Sequence, residues 1–276
     1  MTEEDGGTGQ EVPPEERTCA GSLPPQAYIL GVPVSALTLD RLLEIVGDWV
    51  RSKERHFVCT LDVHALMEGR RAADVREIYR SASIVTPDGM PLVWLLRRAG
   101  HRHADRVCGP DLMPALFDRS QTEGYRHYLY GSTERTLRLL TDRLYGSFPG
   151  ATVVGSYSPP FRELLASEGE AMVARINDAA PDIVWVGLGA PKQDRWMATY
   201  RPMLNAPVLI GVGAAFDMMA GTVRRAPRIV QRSGCEWAFR LLQEPRRLCS
   251  RYLKSNAGFA YMLVQDSLRP RGRPTA

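Results

Sequence analysis

Ile183-Val184-Trp185-Val186-Gly187 runs straight into Leu188-Gly189-Ala190-Pro191-Lys192-Gln193, and the reading of this stretch decides the fold. The first five residues carry no charge and are mostly β-branched or aromatic, which describes a short strand buried on both faces. The next six combine a glycine and a proline with a lysine and a glutamine, as a strand-to-helix loop that carries chemistry does. The same grammar repeats outward. Apolar runs at Ala27 to Val34, His56 to Leu61, Ser83 to Thr86, Arg126 to Tyr130, Thr152 to Gly155 and Val208 to Gly211 are separated by helix-like segments. Of these, Leu39 to Val50 shows Leu42, Leu43, Ile45, Val46 and Trp49 on one broad face. Short strands alternating with helices predict an α/β fold, Rossmann-like, with a largely parallel sheet covered by helices.

In such sheets ligands sit beyond the carboxyl ends of the strands. The residues there read Thr60-Leu61-Asp62, Thr86-Pro87-Asp88-Gly89, Gly131-Ser132, Gly187 through Gln193, and Gly211-Val212-Gly213, and several are expected to converge on one cleft. Asp88 places a carboxylate at a strand tip, where it fits either a general base or a helix N-cap. Gly89 permits close backbone approach, and Pro91 suits the opening of the next helix. Neither Gly187-x-Gly189 nor Gly211-x-Gly213 completes a dinucleotide fingerprint, because the sixth positions are Lys192 and Phe216. That argues against an NAD-linked oxidoreductase, and the lack of a Gly-x-x-x-x-Gly-Lys-Ser/Thr run argues against a P-loop NTPase. Gln193 and Asp217, flanking the two pairs, make simple turn glycines a less complete account. No Asp-x-Asp occurs, so a sugar-nucleotide reaction here is expected to need no metal and no cofactor. The diphosphate charge would then fall to backbone N–H groups, helix N-termini or arginines.

The 276 residues allow one large domain, and no run approaches the roughly 18 apolar residues of a spanning helix. Val208 to Gly221, the richest stretch, is broken by Asp217. Residues 1–26 are expected to form a disordered acidic tail, residues 27–221 the core, and residues 222–276 a basic helical appendage. The last 55 residues hold 12 basic side chains against Glu236, Glu244 and Asp266, whereas the first 221 hold 23 basic and 28 acidic. Such a concentration suits phosphate or an anionic lipid surface, and nothing points to nucleic acid. Two short helices divided at Pro245 are expected there, with Arg247 and Arg251 on one face of the second and Arg240 on the first. Trp237, Phe239, Tyr252, Phe259 and Tyr261 suggest an interfacial surface. Cys19, Cys59, Cys108, Cys235 and Cys249 show no metal or disulfide spacing and read as buried free thiols in a reducing compartment.

Taken in order, the motifs resemble the WecG/TagA/CpsF glycosyltransferases from about residue 27 to about 254. The matching blocks are Thr86 to Pro91, Pro181 to Gln193, Gly211 to Asp217 with Ala220-Gly221 and Arg225-Ala226-Pro227, and Glu236-Trp237, Arg240-Leu241 and Glu244 through Leu253. The resemblance implies an inverting, metal-independent transfer from a UDP-sugar to a sugar on polyprenyl diphosphate, in surface-polysaccharide assembly at the cytoplasmic membrane face. It makes Asp88 the catalytic base, with an ordinary carboxylate pKa of about 3.9 sufficing. It makes Thr60 and Gln193 active-site positions, beside which the strand-tip loops offer Asp62, Gly187, Gly189, Lys192, Gly211, Gly213 and Asp217 as donor or active-site candidates. Arg240, Arg247 and Arg251 become ligands for the acceptor diphosphate or contacts to the membrane. Asp62 stands where the family commonly has Asn, and Ser158-Pro159-Pro160-Phe161 where Gly-Tyr-Phe is common. A homo-oligomer is left open, and the rival of another class is a non-catalytic nucleotide-sugar-binding scaffold of the same fold.

Overall fold

A computed structural model describes residues 22–268. In chain order the elements are β1 (Gln26–Ile29), β2 (Val32–Ser35), α1 (Leu39–Ser52), β3 (His56–Leu61), α2 (Val63–Arg71), α3 (Ala73–Ser81), β4 (Ile84–Pro87), α4 (Met90–Arg98) and α5 (Gly109–Glu123). There follow β5 (Arg126–Gly131), α6 (Glu134–Ser147), β6 (Thr152–Tyr157), α7 (Ala166–Asp178), β7 (Ile183–Gly187), α8 (Lys192–Tyr200) and β8 (Val208–Gly211). The C-terminal part comprises α9 (Ala215–Met219), α10 (Arg228–Arg232), α11 (Glu236–Gln243) and α12 (Pro245–Leu268).

Six strands form one parallel sheet in the order β4-β3-β8-β7-β5-β6. Alternation along each strand explains why the runs read as uniformly apolar. In β7, Val184 and Val186 join one core while Ile183 and Trp185 join the other, and in β8 Leu209 is opposed to Val208 and Ile210 in the same way. A strand buried on both faces has no polar side to show in sequence. The first core lies under the β1–β2 hairpin, α2, α3, α7 and α8; the second lies under α1, α5, α6 and α9.

Several expectations change. Ala27 to Val34 is not one strand but a hairpin, because Leu30 and Gly31 both take positive φ (50° and 84°), the requirement of a two-residue turn that reverses the chain. The hairpin covers the β4 edge of the sheet, and Ser35 Oγ accepts the Val85 N–H there. The tail expected over residues 1–26 lies outside the described residues as far as 21. From Ser22 the chain is tied down, with Ser22 O accepting from Arg41 and Pro25 O from Ala36 N–H, and Gln26 already belongs to β1. Finally, Cys59 and Cys108 are buried, but Cys235 and Cys249 are exposed, and Cys19 lies outside the described residues.

Beyond Gly221 the chain returns across the carboxyl edge of the sheet. The break at Pro245 holds, but the second helix is long, 24 residues, rather than short. Leu248, Tyr252, Ser255 and Phe259 recur at helical spacing and are all buried, so α12 lies along α2 with a defined inner stripe. Gly258 lets the two helices approach, since a Cβ there would meet Met67 Cε at 3.1 Å. Tyr252 and Phe259 therefore turn inward, against the interfacial role expected for them, while Trp237 and Tyr261 remain exposed.

Candidate active site

A cleft of about 1100 Å³, including its open mouth, lies beyond the tips of β3, β4 and β8 and is walled by α4, α11 and α12. Its floor begins at Asp88. The tip of β4 is held from both sides: Asp88 N–H donates to Leu61 O at 3.0 Å, Val107 N–H donates to Pro87 O, and Thr86 Oγ1 donates to Val107 O. The N-cap of α4 is Gly89, not Asp88, so the capping alternative does not hold and the carboxyl is directed into the cleft. Pro91 occupies the first turn of α4 as expected. A Cβ on Gly89 would meet only Pro91 Cδ, at 3.6 Å, so the space beside that glycine belongs to the cleft. Asp62, at the neighbouring tip, caps α2 by accepting the Ala65 N–H at 2.7 Å.

Asp88 is not an ordinary carboxylate. Burial raises its pKa to about 7, reinforced by Asp62 and Glu236 and opposed by Arg106 and Arg240. The expectation of a value near the usual carboxylate range is corrected accordingly, the cause being desolvation that a strand-tip position alone does not announce.

Arg106 is the principal residue that the strand-tip rule misses. It follows no strand, lying in the segment between α4 and α5, and is only 11% exposed. Its Nη1 donates to Glu236 at 2.6 Å, and its Nη2 donates to Gln231 at 3.0 Å and Asp111 at 3.3 Å. Arg225 grips Asp111 with both Nη atoms, at 2.6 and 2.7 Å. Burial by itself raises the Asp111 carboxyl, but hydrogen bonds from Arg225 and Cys108 overcome this and hold it at about 2. These pairs fasten the 222–268 segment to the core across one side of the cleft.

The cleft wall also carries unsatisfied donors. Arg240 Nε and Asn256 Nδ2, both from cleft-lining residues, are buried without a hydrogen-bond partner. Buried donors cost free energy unless paired, so these two are suited to an acceptor that enters the cleft. Nearby, His64 Nδ1 meets Ser255 Oγ at 2.9 Å, joining α2 to α12.

The sequence matches the glycosyl transferase WecG/TagA/CpsF family over residues 27–273. The chain belongs to this family. Relatives include the N-acetylglucosaminyldiphosphoundecaprenol N-acetyl-beta-D-mannosaminyltransferases of Bacillus spizizenii and Bacillus subtilis. The first is 29% identical over 191 residues, 69% of this chain and 72% of the relative. The second is 30% identical over 177 residues, 63% of this chain and 66% of the relative. The protein is therefore a glycosyltransferase, and the WecG/TagA/CpsF match includes the basic C-terminal segment that closes the cleft.

Against this WecG/TagA/CpsF background the remaining candidate residues divide sharply. Asp62, Asp88 and Arg240 line the cleft. Thr60, Gly187, Gly189, Lys192, Gln193, Gly211, Gly213 and Asp217 do not. Thr60 is buried and donates to Gly211 O at 2.8 Å, tying β3 to β8. Gln193 is 1% exposed, and its Oε1 accepts both Gly189 N–H (3.1 Å) and Gly213 N–H (2.9 Å), bolting the two glycine loops together. Gly187 is required by packing, since a Cβ would lie 2.5 Å from Phe216 Cδ2. Lys192 is exposed at the start of α8, and Asp217 lies on α9 beside Thr136 Oγ1. Arg247 and Arg251 sit on α12, but their side chains lie outside the described residues.

Proposed function

We propose that this glycosyltransferase moves a sugar from a UDP-sugar to a sugar carried on polyprenyl diphosphate, with inversion at the anomeric carbon and without a metal ion. The observation that carries this reading is the Asp88 carboxyl, desolvated to a pKa of about 7 on the floor of a cleft with unpaired Arg240 and Asn256 donors in its wall. The acceptor hydroxyl oxygen attacks the anomeric carbon, its proton passes to Asp88, and the bond from that carbon to the UDP oxygen breaks on the opposite face. A base is most effective when its pKa lies near the working pH, which Asp88 satisfies. Arg106 and Arg240 both supply positive charge to the cleft. The Arg240 Nε–H and Asn256 amide are suited to phosphate oxygens.

The segment after Gly221 also supports docking at an anionic membrane surface. Ile229 (83% exposed) and Leu242 (83%) project from it among its arginines, and among the described residues no helix is long and apolar enough to cross a membrane. Contact would be peripheral, reversible and weakened by salt. On this reading the reaction runs at the cytoplasmic face, in the assembly of an envelope polysaccharide.

The names of the Bacillus relatives supply the first substrates to test. UDP-N-acetylmannosamine and a short-chain polyprenyl-diphosphate N-acetylglucosamine should give acceptor-dependent UDP release with β-linked product, undiminished by excess EDTA. Acceptor-independent hydrolysis across a panel of UDP-sugars and acceptors, or activity restored to an EDTA-treated enzyme only by Mg²⁺ or Mn²⁺, would contradict the proposal.

A further inference from the structure

Strand register puts two carboxylates side by side. β3 and β4 run parallel with Leu61 opposite Pro87, so Asp62 and Asp88 are the next residues off adjoining strand tips. The hydrogen bond from Asp88 N–H to Leu61 O keeps the tips level, and both residues line the cleft.

Their local settings differ. Asp62 Oδ1 accepts the Ala65 N–H, so its charge stands at the positive end of the α2 dipole. Asp88 caps nothing, since the α4 N-cap is Gly89. Other charged and titratable groups around Asp88 are His64 from α2, Arg106 and Cys108 from the segment leading into α5, and Glu236 and Arg240 from α11. Arg106 is a divided partner, because its hydrogen bonds go to Glu236, Asp111 and Gln231. Among the negative groups, Asp62 acts on Asp88 more strongly than Glu236 does. Capping alone does not call for a carboxylate at position 62, because an amide caps a helix equally well.

We propose that Asp62 is a positioning residue that acts through Asp88: as a capped anion on the adjoining strand tip, it makes Asp88 the member of the pair that takes up a proton. The catalytic consequence rests on the reading of Asp88 as the base, but the coupling does not. An Asn in place of Asp62 would leave α2 capped and remove the charge, giving a weaker base at position 88.

The test is a direct titration of the full-length protein without substrate. Carboxyl carbons labelled with ¹³C are followed against pH in wild type, Asp62→Asn and Asp62→Ser, with Asp88→Asn assigning the resonance. Both Asp62 variants retain a capping side chain, and Tm verifies that each is folded. The Asp88 midpoint is expected to fall by on the order of one pH unit, the scale for losing one like charge at adjoining-strand distance. The acidic limb of kcat/KM should move down by the same interval. A midpoint unchanged in either folded variant overturns the proposal. A midpoint that moves while the kinetic limb stays in place supports the coupling and overturns the assignment of Asp88 as base.

Discussion

The carboxyl edge of this sheet has two halves that look alike in sequence and differ in structure. At the tips of β7 and β8, the backbone is held by the protein's own polar side chains: Gln193 Oε1 accepts from Gly189 and Gly213, and Thr60 Oγ1 reaches across from β3 to Gly211 O. At the tips of β3 and β4, with α11 and α12 above them, the Asp88 carboxyl faces a cleft whose wall leaves Arg240 Nε and Asn256 Nδ2 unpaired. The first half builds the platform and the second is suited to take a ligand. A polar residue after a strand is thus not evidence of catalysis until the destination of its hydrogen bonds is known.

Substitution should separate the halves, most strongly at Asp88. Asp88→Asn should lower turnover by roughly a hundredfold or more, the scale of a lost general base, while leaving donor binding and the fold intact. Steady-state UDP release, donor titration and a melting curve check this together, and near-normal turnover with chemistry rate-limiting would erase the distinction. In wild type, kcat/KM should fall about tenfold per pH unit below about 7, where Asp88 becomes protonated, and level off above it. A flat profile from pH 5 to 8 would place the base elsewhere.

The same shift has a sign for stability. Because the folded pKa of Asp88 is raised from 3.8 to about 7, its relative contribution is fully present below the unfolded value and is lost as pH rises through about 7. Asp88→Asn should therefore gain in Tm relative to wild type as pH rises from 4 to 8. A constant difference would show that burial does not perturb the carboxyl.

Next in size is Arg240→Ala, expected to reduce kcat/KM for the acceptor about tenfold, the loss of one charge-assisted hydrogen bond, with Tm nearly unchanged. A large fall in Tm would move Arg240 into the platform half. Gln193→Ala should do the reverse. Removing the shared acceptor leaves two loop N–H groups unpaired and should cost about 1–3 kcal/mol in denaturant unfolding, with turnover per folded molecule reduced less than in Asp88→Asn. A loss of turnover as deep as that of Asp88→Asn in a stable Gln193→Ala protein would instead put Gln193 among the reacting groups. Smallest is Thr60→Val, about 1 kcal/mol from one lost hydrogen bond. A Thr60→Val enzyme of full stability and much lower turnover would assign Thr60 to the ligand side.

By itself the sequence determined the parallel strands, because a strand buried on both faces must be a short apolar run and six such runs stand at their observed positions within a few residues. It also determined the β4 tip as a place for Asp88, the break at Pro245 and the family, since these depend on local composition and ordered motifs. Tertiary structure decided what local pattern does not encode. The hairpin turn at Leu30-Gly31 is hidden in an apolar run because positive φ has no hydropathy, and leucine does not announce it. Arg106 reaches the cleft from a segment with no strand before it, and Glu236, an acid in a basic segment, becomes its partner 130 residues away in sequence. Tyr252 and Phe259 face inward because α12 finds α2. The pKa of Asp88 belongs to the same class: desolvation is the sum of everything packed around a carboxyl, and here that comes from chain segments brought together only by folding.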